Sequence, residues 1–317
     1  QRPCWADGQK RGAESAVFCQ GIRAEAQVNQ GKFVGAFFWD GFKFYESFNL
    51  ARLNQEFREY GGDPVVAKVT HNLWRGPRFV RLAKAVHSAP SYAECGLPAG
   101  SKFNAAFVRA YAVKAFDRYT NAHPQVSFSS MVDDVSSAVS GRTREIVVAK
   151  LHDAATTLQT LYHEVLQIGI AFDKVTTTAS DAKLATMIVK DIQALGGEAV
   201  SSVPNLGVDY KPGKRRLGNK RKVRFAGMIR RGVKLAKMRR WMQKGKHRMF
   251  RLHTAGQRPA ATFGAAVNGY TDRQLQVSRR KIMRGQTPGD RGVSMTLRLV
   301  AFGDPLWREA VMPALEW

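Results

Sequence analysis

Ser130-Met131-Val132-Asp133-Asp134-Val135 is the stretch on which the reading of this chain turns. Val126, Phe128, Ser130 and Val132 alternate with Ser127, Ser129 and Met131, the period of a strand with one face turned inward. Two adjacent carboxylates follow, and a second short run, Val135 to Val139, ends at Gly141. The pattern predicts a hairpin with Asp133 and Asp134 at its tip. Two acids at one tip repel each other unless a cation sits there, and hard divalent ions such as Mg²⁺ favour carboxylate oxygen. A solvated Asp-Asp turn is the competing reading, because aspartate is a common turn residue. The company the pair keeps decides between them.

The 317 residues suffice for one large or two medium domains. Hydrophobic and charged fractions are ordinary, but 50 Lys and Arg against 25 Asp and Glu leave a formal charge of +25. An imbalance of that size points to a polyanionic partner, nucleic acid before membrane. Cys4, Cys19 and Cys95 show no paired spacing, so neither a disulfide framework nor a zinc site is indicated, and a reducing, intracellular setting fits. Localisation is otherwise open, since so basic a chain resembles a nuclear protein without a separate tag. No apolar run approaches the length that spans a bilayer, and nothing reads as a signal peptide. The start at Gln1 reads as a piece of a longer polypeptide. His163-Glu164 lacks the second histidine of a zincin, and there is no Walker-type loop or dinucleotide fingerprint.

Taken in order, Glu14 to Gln30 is predicted helical, and Phe33 to Trp39 is an apolar run of strand length with Asp40 at its C-terminal end. Ser47 and Asp63 are expected to begin helices, and Arg78–Leu82 and Tyr92–Cys95 to pair as short strands. A Gly-rich turn, Gly96-Leu97-Pro98-Ala99-Gly100-Ser101, opens a helix through Phe103, Phe107 and Val113. Behind the acidic hairpin lies a long amphipathic helix with Ile146, Leu151, Leu158, Leu161 and Val165 in its stripe. Gly169 closes it, Ile170 to Thr177 has strand composition, and Ser180 is placed as the next cap. From Lys211 to Arg258 there are 19 Lys and Arg and no acid, the density of a phosphate-contacting surface. Phe225, Met228, Ile229, Leu235, Met238, Trp241 and Met242 are interleaved there, which predicts one or two basic amphipathic helices. Alternating strands and helices followed by a helical basic region make an α+β core with an appended helical domain.

Five blocks in this order resemble the motifs of the reverse transcriptase palm, in the style of non-LTR retroelements. Phe38-Trp39-Asp40-Gly41-Phe42-Lys43-Phe44-Tyr45 resembles the first catalytic motif, and Gly96 to Ser101 the Gly-x-Pro-Gln-Gly-Ser block. Met131-Val132-Asp133-Asp134 resembles the aromatic-x-Asp-Asp signature, Gly169 to Lys174 the lysine-bearing block, and Asn205-Leu206-Gly207-Val208 the primer grip. The resemblance implies a palm, an antiparallel sheet with packed helices, followed by a basic thumb-like region. It divides the chain into a residual fingers and lead-in helix at 1–32, a palm-like catalytic domain at 33–210 and a thumb-like region at 211–317.

The roles it implies fall residue by residue. Asp40 and Asp133 would bridge two Mg²⁺ ions, with Mn²⁺ as a substitute, and Asp134 would assist from the edge. Tyr45, with Phe44 beside it, would lie under the incoming sugar and exclude a 2′-hydroxyl. Gly96, Pro98, Gly100 and Ser101 would lie against the nascent pair, where glycine allows close approach. Lys174 would sit near the leaving pyrophosphate. Leu206 and Gly207 would steady the primer, while Lys220, Arg221, Lys222, Arg230, Arg231, Lys234, Arg239 and Arg240 would hold the duplex backbone without reading sequence. The partners implied are an RNA or DNA template with its primer and deoxynucleoside triphosphates. Three departures stand out: Ala99 where the family has Gln, Met131 where it has an aromatic, and a start expected to be too late for most of a fingers region. The alternative is a catalytically inactive retroelement remnant that binds nucleic acid non-specifically; a third reading is a basic RNA-binding protein with accidental motif matches.

Overall fold

The computed structural model describes residues 12–213 apart from 80, 83–84, 87–88, 99 and 193–196; residues 219–241, 256 and 258–286; and isolated positions beyond 293. Side chains at 81–82, 85–86, 235–236, 239–241 and 281–286 are outside that description. The chain divides into two compact units, one running from Gln30 to Ser201 and the other combining the N-terminal helix with the chain from Ser202.

The first unit is built on strand β1, Phe33–Trp39. Five of its seven residues are buried, which is why it reads as a continuous apolar run rather than an alternation: a central strand is covered on both faces. Two short strands, β2 (Arg81–Leu82) and β3 (Ala85–Val86), pair with each other, while Arg78 bridges to Ser91 and Cys95 to Asn49. The expected pairing of Arg78–Leu82 with Tyr92–Cys95 is therefore replaced by two separate contacts. β4 (Ser127–Met131), β5 (Asp134–Gly141), β6 (Thr176–Ala179) and β7 (Glu198–Ala199) complete a five-stranded sheet in the order β4-β5-β1-β6-β7. Its pairs are antiparallel except β6 with β7, which run parallel. The unit is α+β, with an antiparallel sheet and packed helices, as expected.

Those helices are α2 (Leu50–Glu59), α3 (Pro64–Arg75), α4 (Asn104–Ala122), α5 (Arg144–Thr160) and α6 (Ala182–Asp191). Asp63 caps α3 through its Oδ1, which accepts the N–H of Val65 and of Val66 at 2.7 and 3.1 Å. Two expected caps move. Asn49, not Ser47, accepts the Arg52 N–H at the start of α2, and the Ser47 hydroxyl donates to the Phe42 and Lys43 carbonyls. Asp181, not Ser180, caps α6, while Ser180 Oγ accepts the N–H of Val34. Asparagine and aspartate outrank serine at a cap only through local backbone geometry, so neighbouring candidates are hard to separate in a sequence. Residues Ile170 to Val175 likewise form no strand; a 3₁₀ turn at Phe172–Lys174 precedes β6.

α5 and α6 lie so close to β1 that Gly35 is the residue the packing admits. A Cβ there would meet Ile188 Cδ1 and Leu151 Cδ1 at 2.8 Å and Val147 Cγ1 at 3.0 Å. The core around them includes Phe37, Trp39, Tyr111, Phe116, Leu151 and Leu158, all buried. The α5 stripe is as expected for Leu151, Leu158 and Leu161, but Ile146 is exposed. After Thr160 the helix widens into a π-helical turn, Leu161–Leu166, which places Tyr162 fully inside.

The second unit contains α1 (Ala13–Asn29), the hairpin β8 (Val203–Asn205) with β9 (Val208–Tyr210), and α7 (Asn219–Trp241). Helices Arg258–Thr262, Ala265–Asn268 and Asp272–Gln286 follow. α1 and the β8–β9 hairpin thus group with the C-terminal residues, ahead of the boundary expected at 210. α7 is one continuous helix of 23 residues within the basic segment, and buried Asp209 accepts the Lys220 and Arg221 N–H groups at its start. The expected apolar stripe is thinner than its sequence suggests. Met228 is buried and Phe225 and Ile229 are half-buried, but Met238 is exposed. Met242 and the side chains of Leu235 and Trp241 lie outside the described residues.

Candidate active site

Register brings the acids together. In the β1–β5 ladder Trp39 stands opposite Val135, so the next step along each strand sets Asp40 opposite Asp134. β4 and β5 close through Val132 and Asp133, with Met131 paired to Asp134. Val132 holds a left-handed backbone, φ 57°, which a β-branched side chain adopts only under constraint. The tight turn leaves Asp133 and Asp134 at the end of the sheet that Asp40 also occupies. Residues about ninety positions apart in sequence meet there.

The segment after the π-helical turn then runs alongside Asp40. Phe42 donates its N–H to the Gly169 carbonyl at 2.7 Å, Gly41 bridges to Ile170, and Ala171 donates to the Asp40 carbonyl at 3.0 Å. This backbone pairing carries Lys174 to Asp40, where Nζ donates to Oδ2 at 2.6 Å. The ion pair raises the Lys174 ammonium above its usual range.

The carboxylates of the hairpin feel one another. Asp133 is pushed up by burial and then by the charge of Asp40, against its own and the Asp134 backbone N–H and Lys174, which pull it down. Asp134 as a residue is exposed, yet burial of its carboxyl group, followed by the charges of Asp133 and Asp40, pushes that group up to about 6. Like charges that share one place disfavour full ionisation. Beneath them lies Tyr162, buried, with its hydroxyl raised first by burial and then by Asp133, Asp40 and Asp134. Tyr162 was not singled out in the sequence. Helical spacing from the buried Leu158 reaches Tyr162 as well as Leu161, so the apolar stripe was the signal that could have found it.

Tyr45 belongs to the same neighbourhood: burial first, then Asp133 and Asp134, raise its hydroxyl. Phe44 does not share its position. It is buried, edge-on to Phe48 with ring centroids 4.9 Å apart, and packs in the core rather than facing the acids. The Gly-rich loop is tied to this segment, since Gly96 donates to the Phe48 carbonyl at 2.8 Å and Leu97 to that of Tyr45 at 2.6 Å. Gly96 has φ 96°, and a Cβ on it would lie 3.4 Å from Glu46 Cα, so its close approach is to the chain's own backbone. Pro98 accepts from buried Asn104 at 2.8 Å, and Ser101 Oγ accepts the Phe103 N–H. Gly100 faces open space, and Ala99 lies outside the described residues.

The remaining expected residues are in the second unit. Leu206 and Gly207 form the two-residue turn of the β8–β9 hairpin, both with left-handed backbone, φ 48° and 77°. Lys220, Lys222, Arg230, Arg231 and Lys234 are exposed on α7. Arg221 is not free for a phosphate: Nη1 donates to the Asn268 carbonyl at 2.8 Å and to that of Gly269, and the guanidinium lies over the Tyr270 ring. Arg239 and Arg240 are on α7, with side chains outside the described residues.

The donors suit hard divalent cations: carboxylates, two of them pushed towards protonation by burial and unbalanced like charge. Among the described residues no group of three His, Cys, Asp or Glu closes into a ligand cage. Mg²⁺ needs none, because it keeps several waters and takes one or two carboxylates together with substrate phosphates. No described helix is long and apolar enough to cross a membrane.

No family model matches the chain, and no curated protein does. Among solved structures it is similar to telomerase from Candida tropicalis in complex with the TWJ fragment of telomeric RNA, at 10% identity and TM-score 0.49 over 96% of this chain. It is also similar to apo telomerase from Candida tropicalis truncated from its C-terminal domain, at 10% identity and TM-score 0.43 over 66% of this chain. The chain spans 53% and 39% of the length of those two.

Proposed function

We propose that this chain carries the catalytic core of an RNA-directed DNA polymerase of non-LTR retroelement type, working by two-metal nucleotidyl transfer. The observation that supports it is the meeting of Asp40 with Asp133 and Asp134 at one end of the sheet, next to Lys174 and Tyr45. Asp40 and Asp133 would hold the cations, with Asp134 at the edge. Two bound divalent ions would supply activation of the primer 3′-hydroxyl and neutralisation of the triphosphate. The chain's own groups do the rest. The β1–β5 ladder holds the carboxylates in a fixed spacing, so substrate meets a preformed charge rather than a flexible one. Tyr45, whose hydroxyl feels the charges of Asp133 and Asp134, would lie under the incoming sugar as a steric bar to a 2′-hydroxyl. The Lys174 ammonium is at hand for a phosphate oxygen. In the second unit, exposed Lys220, Lys222, Arg230, Arg231 and Lys234 offer sequence-independent contacts to a template–primer backbone.

The test is primer extension on poly(rA)/oligo(dT) with Mg²⁺ or Mn²⁺. Wild type should extend, and Asp133→Ala should lose extension by at least about a hundredfold while binding duplex nearly as before. Equal extension by the variant ends the catalytic assignment. A second reading, a remnant that binds nucleic acid without turnover, is favoured by the engagement of Asp40 with Lys174. It predicts no extension by wild type and an affinity that falls steeply with salt.

A further inference from the structure

Building on that reading, we propose that Lys174 is a built-in counter-ion for Asp40, with which a divalent cation must compete when the site loads. The placement is specific. Lys174 Nζ sits 2.6 Å from Asp40 Oδ2, although 134 residues separate them in sequence. The pairing is imposed by backbone rather than by chance contact of two long side chains. The bonds Phe42 N–H to Gly169, Ala171 N–H to Asp40 and Lys174 N–H to Ala171, at 2.7, 3.0 and 2.9 Å, set the root of the lysine beside the acid. Its side chain is 59% exposed and that of Asp40 28%, so the ammonium end can swing out while the stem stays anchored.

Electrostatics says why such a partner is needed. Asp40 follows the last ladder pair, Trp39 with Val135, and its charge acts on both Asp133 and Asp134, so the three carboxylates repel one another. With no cation bound, the ammonium balances Asp40 and lets the strands keep their register. A divalent ion on the Asp40 carboxylate neutralises the charge that holds the ammonium and repels it, so the two cations compete for Asp40. Loading would weaken the hold of Asp40 on Lys174 and leave the ammonium more available to a phosphate brought by the substrate. Lys174 is thus a positioning residue as well as a candidate phosphate contact, and cation binding is coupled to the availability of its charge.

Mn²⁺ titration without nucleotide, followed by electron paramagnetic resonance of the free ion, reads this directly. Lys174→Met should bind Mn²⁺ about three- to tenfold more tightly than wild type, the size expected when an exposed ion pair no longer competes. Lys43→Met removes a charge whose ammonium lies 5.5 Å from the Phe42 ring centroid and forms no ion pair among the described residues, so it should stay within about twofold of wild type. Thermal melting should agree: without metal, Lys174→Met should melt below wild type, and saturating Mn²⁺ should close that gap. Wild-type affinity in Lys174→Met, with Asp133→Ala failing to bind, overturns the counter-ion while leaving the metal site standing. Equal tightening by Lys43→Met reduces the effect to general charge and also overturns it. Absence of saturable Mn²⁺ binding in wild type and Lys174→Met alike overturns both the counter-ion and the two-metal reading.

Discussion

Gly35→Ala should reveal how tightly the sheet that carries Asp40 is clamped. Gly35 lies in mid-strand, opposite Val139 on β5 and Ala179 on β6. A methyl there would come within 2.8 Å of Ile188 Cδ1 and Leu151 Cδ1 and 3.0 Å of Val147 Cγ1. Carbon pairs are comfortable only at about 3.5–4.0 Å. The three neighbours have no exposed surface, so their methyl ends have nowhere open to retreat. Overpacking of this kind costs about 1–3 kcal/mol, and the lower unfolded-state entropy of alanine returns about 0.5–1 kcal/mol, so we expect a net loss of about 1–2 kcal/mol. Urea unfolding should show it as a lower midpoint at unchanged slope. Leu151→Ala, which alone should cost about 2–5 kcal/mol, vacates part of the space the new methyl needs. The double variant should therefore lose less than the sum of the singles, by at least about 1 kcal/mol. If the losses simply add, or if Gly35→Ala costs nothing, the packing of α5 and α6 on β1 described above is wrong.

Four further expectations are independent of that one. Asp134 is held near 6 in the fold, against about 4 in an unfolded chain. The folded state therefore binds more protons between those values, and stability falls as pH rises through that window. Asp134→Asn should be more stable than wild type at pH 7.5 by about 1 kcal/mol, after allowance for solvent screening, and the gain should vanish below about pH 4. Melting curves across that range check it, and a gain that persists in acid refutes the cause given. Arg221→Met should destabilise the second unit by about 1–3 kcal/mol through loss of its two carbonyl bonds, with little change in the salt dependence of duplex binding. Arg230→Met should do the reverse, leaving the melt alone and lowering the salt slope by about one. Tyr45→Ala should relax discrimination against ribonucleotides in the extension assay, and an unchanged ratio removes Tyr45 as the steric bar.

Much of the candidate site was legible before any coordinates. Asp40 at the end of an apolar run, and Asp133 and Asp134 between two alternating runs, declare themselves because strand period and turn chemistry are local. The α+β class follows from the same periodicities. Caps were less legible: Ser47 and Asn49, or Ser180 and Asp181, are equivalent candidates until the backbone shows which side chain faces the helix end. Phe44 and Tyr45 are adjacent aromatics, and only packing against Phe48 sends one into the core and leaves the other near the acids. Arg221 looked like its basic neighbours on α7, but it is consumed by the carbonyls of Asn268 and Gly269.

What the sequence by itself determined is the α+β class, the acidic hairpin between β4 and β5, most of the helices, and the large positive charge. Those properties depend on neighbours within a few residues and on summed composition. Only the tertiary structure decided that Asp40 stands opposite Asp134, that Lys174 reaches Asp40, and that Tyr162 turns beneath them. Each of these rests on strand register, on a backbone bridge or on the packing of a helix end against the sheet. Such choices are settled by packing between segments far apart in the chain, where no local pattern of residue types carries the answer.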